Sequence, residues 1–253
     1  MITIKSEREL DIMRRAGHIV ALAHQRIKGM IAPGISTKEL NKAAEEIILS
    51  SGAVPSFKGV PNPYGGFDFP AAICASVNHE VIHGLPNNIP LKEGDIVSID
   101  IGAVLDGFHG DAARTYEVGQ VSPEAHKLVA VTRDSFYKGL EVVREGMRIR
   151  DISRAVQQYV EGNGYSIVRD FVGHGIGREM HEVPQIPNFV TRERGPRLQK
   201  GMTIAIEPMV NQGNWQVEVL NNNWTVVTID GKLSAHYENT VAVTGNEPEI
   251  LTK

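Results

Sequence analysis

The chain has 253 residues, 42% of them hydrophobic and 22% charged, with a formal net charge of -4. That is enough chain to bury one full core, and so small a net charge argues against a dedicated nucleic-acid binder. Cys74 is the only cysteine, which excludes an internal disulfide and a four-cysteine zinc site and fits a reducing compartment.

The first twenty residues carry no signal-peptide pattern, and no apolar run approaches the roughly 18 residues of a membrane span. A soluble cytoplasmic protein is expected. Ser6 with Glu9 forms a capping box before a broad apolar stripe from Leu10 to Ala23, which predicts a helix ending before Pro33. Ser36 with Glu39 opens a second helix, expected to stop near Gly52. Ser122-Pro123-Glu124 starts a third, with Pro at its favoured first position, and Gly146 introduces a fourth that runs to about Gly164. Gly34 to Gly52 and Gly146 to Gly164 are both 18 residues apart. Each helix pair is followed by a β-like run ending in a carboxylate, Leu91 to Asp100 and Leu198 to Glu207. His109-Gly110-Asp111 and His236-Tyr237-Glu238 make a third correspondence. Three matches in the same order predict an α+β chain of two related halves, roughly 1–120 and 121–245, closing around a shared site within a single domain spanning 1–253. From about Gly245 the sequence reads as a tail.

Asp106-Gly107 is a two-residue hairpin signal. Pairing back from that turn sets Gly102 opposite Asp111, and strand alternation then puts Asp100 on the same face as Asp111. Glu207 ends the apolar run Met202 to Ile206, a buried strand by composition, and a lone buried Glu is rare. His174 lies between glycines in Gly173-His174-Gly175-Ile176-Gly177, where space is left for a metal or a substrate. One histidine and four carboxylates (Asp100, Asp111, Glu207, Glu238) suit Mn, Fe, Co or Zn as a divalent pair better than a structural zinc site. A competing motif is His79-Glu80-Val81-Ile82-His83, which spells the zinc-peptidase pattern. That pattern needs a helix to put both histidines on one face, and Gly84 and Pro86 would stop one.

These residues resemble the type I methionine aminopeptidases of the pita-bread metallopeptidase family. The resemblance is carried by Asn78 to Pro86, Asp100 through Asp111, Gly173 to Gly177, Ile206 to Val210 and Ser234 to Thr240. It implies two pseudo-symmetric halves with a curved antiparallel sheet inside and helices outside. Asp100, Asp111, His174, Glu207 and Glu238 would then hold two divalent ions (Co, Mn, Fe or Zn), with Asp111 and Glu238 bridging, Asp100 completing one ion, and His174 and Glu207 the other. His83 is similar to the family histidine near the substrate amine, and His181 to the one contacting the scissile carbonyl, with Glu207 as proton acceptor. Phe57, Phe69, Cys74, Met180 and Trp224 are expected to form the side-chain pocket. The implied reaction removes the initiator methionine from nascent proteins and peptides, with a preference for a small second residue. The expected partners are N-terminal Met peptides and nascent chains, with transient ribosome contact, no membrane and a monomeric enzyme.

The chain departs from the family at His236, where Gln is common, at Asn239, where His is common, and at His79, where an acid is common. Residues 60–68 form a longer loop than the family's usual pocket loop, which bears on pocket shape. A proline-specific pita-bread peptidase and a non-enzymatic binding protein of the same fold are the alternatives. The first usually resembles this domain with an extra amino-terminal domain, and the second lacks metal ligands.

Overall fold

The computed structural model describes every residue except Tyr64 and Asn246; Tyr64 falls within the 60–68 loop, which is described without it. Helix α1 spans Glu7–Lys28 and α2 spans Thr37–Ser50. Both open on full capping boxes, in which Ser6 or Ser36 accepts the N–H of Glu9 or Glu39 and the glutamate returns the bond. Helix α3 spans Pro123–Leu140 behind Ser122, and α4 spans Ile149–Gly162, where the Asp151 carboxylate takes the Arg148 N–H. Gly34, Gly52, Gly146 and Gly164 have φ of +99, +76, +87 and +84, a region glycine enters without a Cβ clash. Their 18-residue spacing therefore marks the same chain reversals in each half.

Leu10, Met13, Ala16, Val20, Ala23 and Ile27 of α1 are buried at helical spacing. Each large apolar side chain contributes about 1.5–3 kcal/mol on burial, against about 1 kcal/mol for a cap, so the stripe rather than the cap holds α1 in place. Its central and later turns, with Leu40, Ala44 and Ile48 of α2, pack on Ile73, Ala75, Val97, Ile99 and Ile101. A second core joins Leu128 and Phe136 of α3 and Ile152 and Val156 of α4 to Ile204, Ile206, Val210 and Val241.

All strand pairings among the described residues are antiparallel. Ile96–Leu105 pairs along one edge with Val54–Pro55 and Ile73–Val77, and along the other with Phe108–Glu117. In the second half, Pro248–Ile250, Asn239–Val243, Thr203–Ile206, Gly173–Gly175 and Glu182–Ile186 lie side by side in that order. The halves join where Glu238 N–H donates to Ala113 O (2.9 Å) and Asp111 N–H donates to the Thr240 hydroxyl (3.0 Å). This seam carries an acid from each side.

Two expectations are settled by the backbone. His79 lies in the turn between Ile73–Val77 and Glu80–Ile82, Asn78 and His83 have φ of 55° and 57°, and no helix covers the segment. His79 and His83 therefore do not stand on one helical face, and the single-zinc peptidase reading is discarded. The tail expected from Gly245 is corrected as well. Pro248–Ile250 pairs with Asn239–Val243, so the second half continues past 245, and Leu251 and Thr252 are buried. Arg114 donates to Thr252 O (3.3 Å) and the Thr252 hydroxyl donates to Asn239 Oδ1 (2.9 Å). So short a segment has no periodicity to read, and its place depends on the neighbouring strand and on distant partners such as Arg114.

Candidate metal centre and substrate pocket

The Asp106-Gly107 turn has both residues at positive φ, 49° and 78°, the geometry a two-residue hairpin needs. It sets Leu105 opposite Phe108, Gly102 opposite Asp111 and Asp100 opposite Ala113. Asp100 and Asp111 are thus diagonal neighbours on one face. From the other half, Ile206 pairs with Asn239, which brings Glu207 beside Glu238. His174 is admitted by its flanking glycines: a Cβ at Gly173 would lie 2.4 Å from Ala205 O, and one at Gly175 would lie 2.6 Å from Val183 O. His174 Nδ1 lies 2.8 Å from Gly175 O, so Nδ1 carries the proton and the Nε2 lone pair is free to ligate a cation. Nε2 is 3.5 Å from Glu207 Oε1.

The five residues expected as ligands are therefore gathered in one place. Donor atoms of Asp111, His174 and Glu238 lie within 4.8 Å of one another, and those of Glu207, His236 and Glu238 do the same. Asp111 and Glu238 are only 3% and 1% exposed, and Asp100 Oδ1, Asp111 Oδ1, Glu238 Oε1 and His236 Nε2 are buried with no hydrogen-bond partner. Four carboxylates without countercharge cannot all ionise in such a place. Burial pushes Asp100 up to about 6 and Glu207 up to about 8. It also raises Asp111 and Glu238 well above the carboxylate range, reinforced by their acidic neighbours. Burial holds His174 down to about 3, and His83 and His236 to about 4, so all three rings are neutral near pH 7. Orphaned carboxylate oxygens around neutral imidazoles fit hard-to-borderline divalent cations.

The acids line a cavity of about 440 Å³. Phe57, Phe69, Cys74, Met180 and Trp224, the five residues expected to form the side-chain pocket, all line it, and so do His83 and His181. Phe69 meets Trp224 edge-on at 5.1 Å and Phe57 at 6.4 Å. His181 stands edge-to-face against His174 at 4.5 Å. A larger open groove of about 760 Å³ runs along α1, lined by the Arg15–Asp106 and Arg178–Glu9 ion pairs, and touches none of these residues.

The sequence did not single out every lining residue. Phe171, Val172 and Ile82 also border the cavity, as do Val60, Pro61 and Pro63 of the long loop. That loop is clasped to the far wall by Trp224 Nε1–H donating to Phe67 O (3.0 Å) and Asn223 donating to Gly65 O (3.1 Å). His236, named in the repeat and as a family departure but not as a site residue, has Nε2 3.7 Å from Glu207 Oε2. Its repeat partner His109 beside Asp111 was the available signal.

The family model for metallopeptidase family M24 matches residues 11–245. The chain is 57% identical over 252 residues to a protein named methionine aminopeptidase from Clostridium perfringens, covering 100% of this chain and 99% of that one. It is 54% identical to methionine aminopeptidase 1 of Bacillus subtilis, covering 100% of both. The crystal structure of methionine aminopeptidase from Thermotoga maritima superposes with a TM-score of 0.95 at 46% identity, covering 100% of both chains.

Proposed function

The chain belongs to metallopeptidase family M24, and from that premise we infer that it is a methionine aminopeptidase, hydrolysing the peptide bond after an amino-terminal methionine. The observation that carries this reading is one cavity lined both by a cluster of buried carboxylates with unpartnered oxygens and by aromatic and sulfur-bearing side chains.

Family membership implies divalent metal use. Two divalent ions (Co, Mn, Fe or Zn) would be held by Asp100, Asp111, His174, Glu207 and Glu238. When bound, such ions supply Lewis acidity and make a neighbouring water acidic near neutral pH. The remaining steps belong to side chains. Glu207, whose carboxylate oxygens stand beside His174 and His236, is the group we place to accept the proton of the attacking water. His181, its pKa lowered by burial, is neutral and has one N–H to donate as charge develops on the carbonyl oxygen. His83, equally neutral, orients the amide or relays a proton to its leaving nitrogen. Phe57, Phe69, Cys74, Met180 and Trp224 surround the unbranched methionine side chain, whose sulfur suits aromatic surface. Val60, Pro61 and Pro63 add apolar surface to the same cavity, and we place a small second residue there.

We read the chain as one catalytic domain whose halves share this site. No described helix is long and apolar enough to cross a membrane. We propose a monomer acting in the cytoplasm on nascent chains, with transient ribosome contact. The test is a metal-dependent assay on Met-Ala-Ser against Pro-, Leu- and Lys-initiated peptides. Methionine release that is lost on chelation and restored by a divalent cation is expected. Equal turnover of all four peptides, or full activity after exhaustive chelation, would overturn the reading.

A further inference from the structure

Glu182, next in sequence to His181, lies outside the cavity lining and yet collects four donors on one carboxylate. Its Oε1 accepts the N–H groups of Arg178 (2.9 Å) and Glu179 (3.4 Å). Its Oε2 accepts the Lys5 ammonium (2.6 Å) and the Thr3 hydroxyl. The Lys5 and Glu182 side chains are 4% and 10% exposed, so this is a desolvated ion pair between the amino-terminal segment and the loop that carries His181. Gly177 makes the approach possible, because a Cβ there would lie 2.4 Å from Lys5 Cε and 2.5 Å from Glu182 Oε1. The loop is anchored at its other end by His109 N–H donating to Gly177 O (2.8 Å), and the Lys5 N–H donates to Gly201 O (2.7 Å).

Buried ion pairs are poor stabilisers, since desolvation offsets most of the attraction and an apolar pair of similar volume often does as well. They do fix geometry, because each donor and acceptor has one satisfactory place. Here the geometry fixed is that of residues 177–182. His181 itself is held from the side-chain direction by its edge contact with His174.

We propose that the Lys5–Glu182 pair is a positioning device for the reaction: it locks the 177–182 loop so that the His181 imidazole faces the scissile carbonyl, which makes the amino-terminal segment a working part of the active site. The proposal rests on the role given to His181 under Proposed function. Lys5 and Glu182 do not line the cavity, but Glu182 also pairs with Gly175 beside His174, so equal metal content is confirmed in every variant before an effect is read through His181.

The experiment compares Lys5→Met with the parent and with His181→Ala, each as zinc-loaded enzyme. It uses steady-state kinetics on Met-Ala-Ser and the imidazole NMR signals of ¹³C-labelled histidine. Misplacing a catalytic group by about 1 Å can cost roughly 100-fold, so Lys5→Met should lower kcat by roughly 10- to 100-fold with KM little changed. The His181 signal, assigned by its loss in His181→Ala, should shift while that of His83 stays. In the His181→Ala background, Lys5→Met should cost little more, because two residues acting through one contact are not additive. Should Lys5→Met fail to fold, Thr3→Val removes a single donor at the exposed edge of the pair and carries the same readouts. An unmoved His181 signal, or a kcat loss that compounds in full on His181→Ala, would overturn the proposal. Full kcat in His181→Ala, with its signal still moved by Lys5→Met, would instead remove the catalytic role of His181 and leave the coupling in place.

Discussion

Replacing Asp100 by Asn keeps the side-chain shape and takes one negative charge out of the acid cluster. In the metal-free protein Asp100 titrates near 6 instead of 3.8, chiefly because it is buried. The folded state therefore keeps its proton up to about 6 while the unfolded chain gives it up near 3.8, so stability falls as pH rises through that window. Above it the full penalty is present. Two powers of ten in an ionisation equilibrium, at 1.36 kcal/mol each, make this about 3 kcal/mol at pH 7.5. At pH 4.5 the same linkage leaves about 1 kcal/mol. Asn never ionises, so metal-free Asp100→Asn should be more stable than the parent at pH 7.5 by up to about 3 kcal/mol, or roughly 6–12 °C for a chain of this size. Divalent cations should reverse the order. A ligand at 100 times its Kd stabilises by about 2.7 kcal/mol, and the parent should gain this while the variant gains much less. Thermal melts of chelated and cation-loaded protein at the two pH values make the measurement. A variant that is less stable than the parent when metal-free at pH 7.5, or equal cation shifts in both proteins, would refute the view that the acids are held against their own repulsion for a cation.

Three further outcomes are expected. His181→Ala should lower kcat by roughly 100- to 1,000-fold with little change in KM, as loss of one donor to a developing oxyanion does; a change confined to KM would make His181 a uniform binding residue. Trp224→Ala removes the ring that packs edge-on against Phe69 and holds Phe67 O, and should reduce discrimination between Met and smaller first residues by roughly 10- to 200-fold in kcat/KM, measured on paired peptides. Gly17→Ala would set a Cβ 2.1 Å from Leu251 O, against the segment that seats α1, and should destabilise by about 1–3 kcal/mol in denaturant melts.

What could be read from the sequence was what local chemistry decides. Ser6 with Glu9 and Ser36 with Glu39 start helices because each box satisfies its own amides, and Asp106-Gly107 fixes a ten-pair hairpin from its turn alone. With that register the diagonal placement of Asp100 and Asp111 follows before any tertiary contact is known. The literal zinc-peptidase spelling at His79 to His83 shows the reverse: residue types match, but Gly84 and the left-handed His83 put the pair on a turn and a strand end. Thr252, Phe171 and His236 were not legible as packed or lining residues. Their positions depend on partners far along the chain, such as Arg114 for Thr252, His83 for Phe171 and Thr115 for His236, and no period or cap announces such contacts.

The division of the donors explains why the acid cluster tolerates its own repulsion. Asp100 and Asp111 stand on the first-half hairpin, while His174, Glu207, His236 and Glu238 stand on the second-half strands and their ends. The group of Asp111, His174 and Glu238 needs both halves, whereas Glu207, His236 and Glu238 come together from the second half alone. The backbone bonds that join the halves, Glu238 to Ala113 and Asp111 to Thr240, lie at the acids themselves. Like charges would push the halves apart at that seam, and the seam is held from behind by Arg114. Its guanidinium donates to Glu238 O and to Asn239 Oδ1 (2.6 Å) and lies over Tyr237 at 4.5 Å. Arg114 thus gives its hydrogen bonds to backbone and amide oxygens and leaves the carboxylate oxygens uncapped. A cation that bonded those oxygens directly would have stabilised the metal-free fold and competed with the ions that the oxygens are placed to receive.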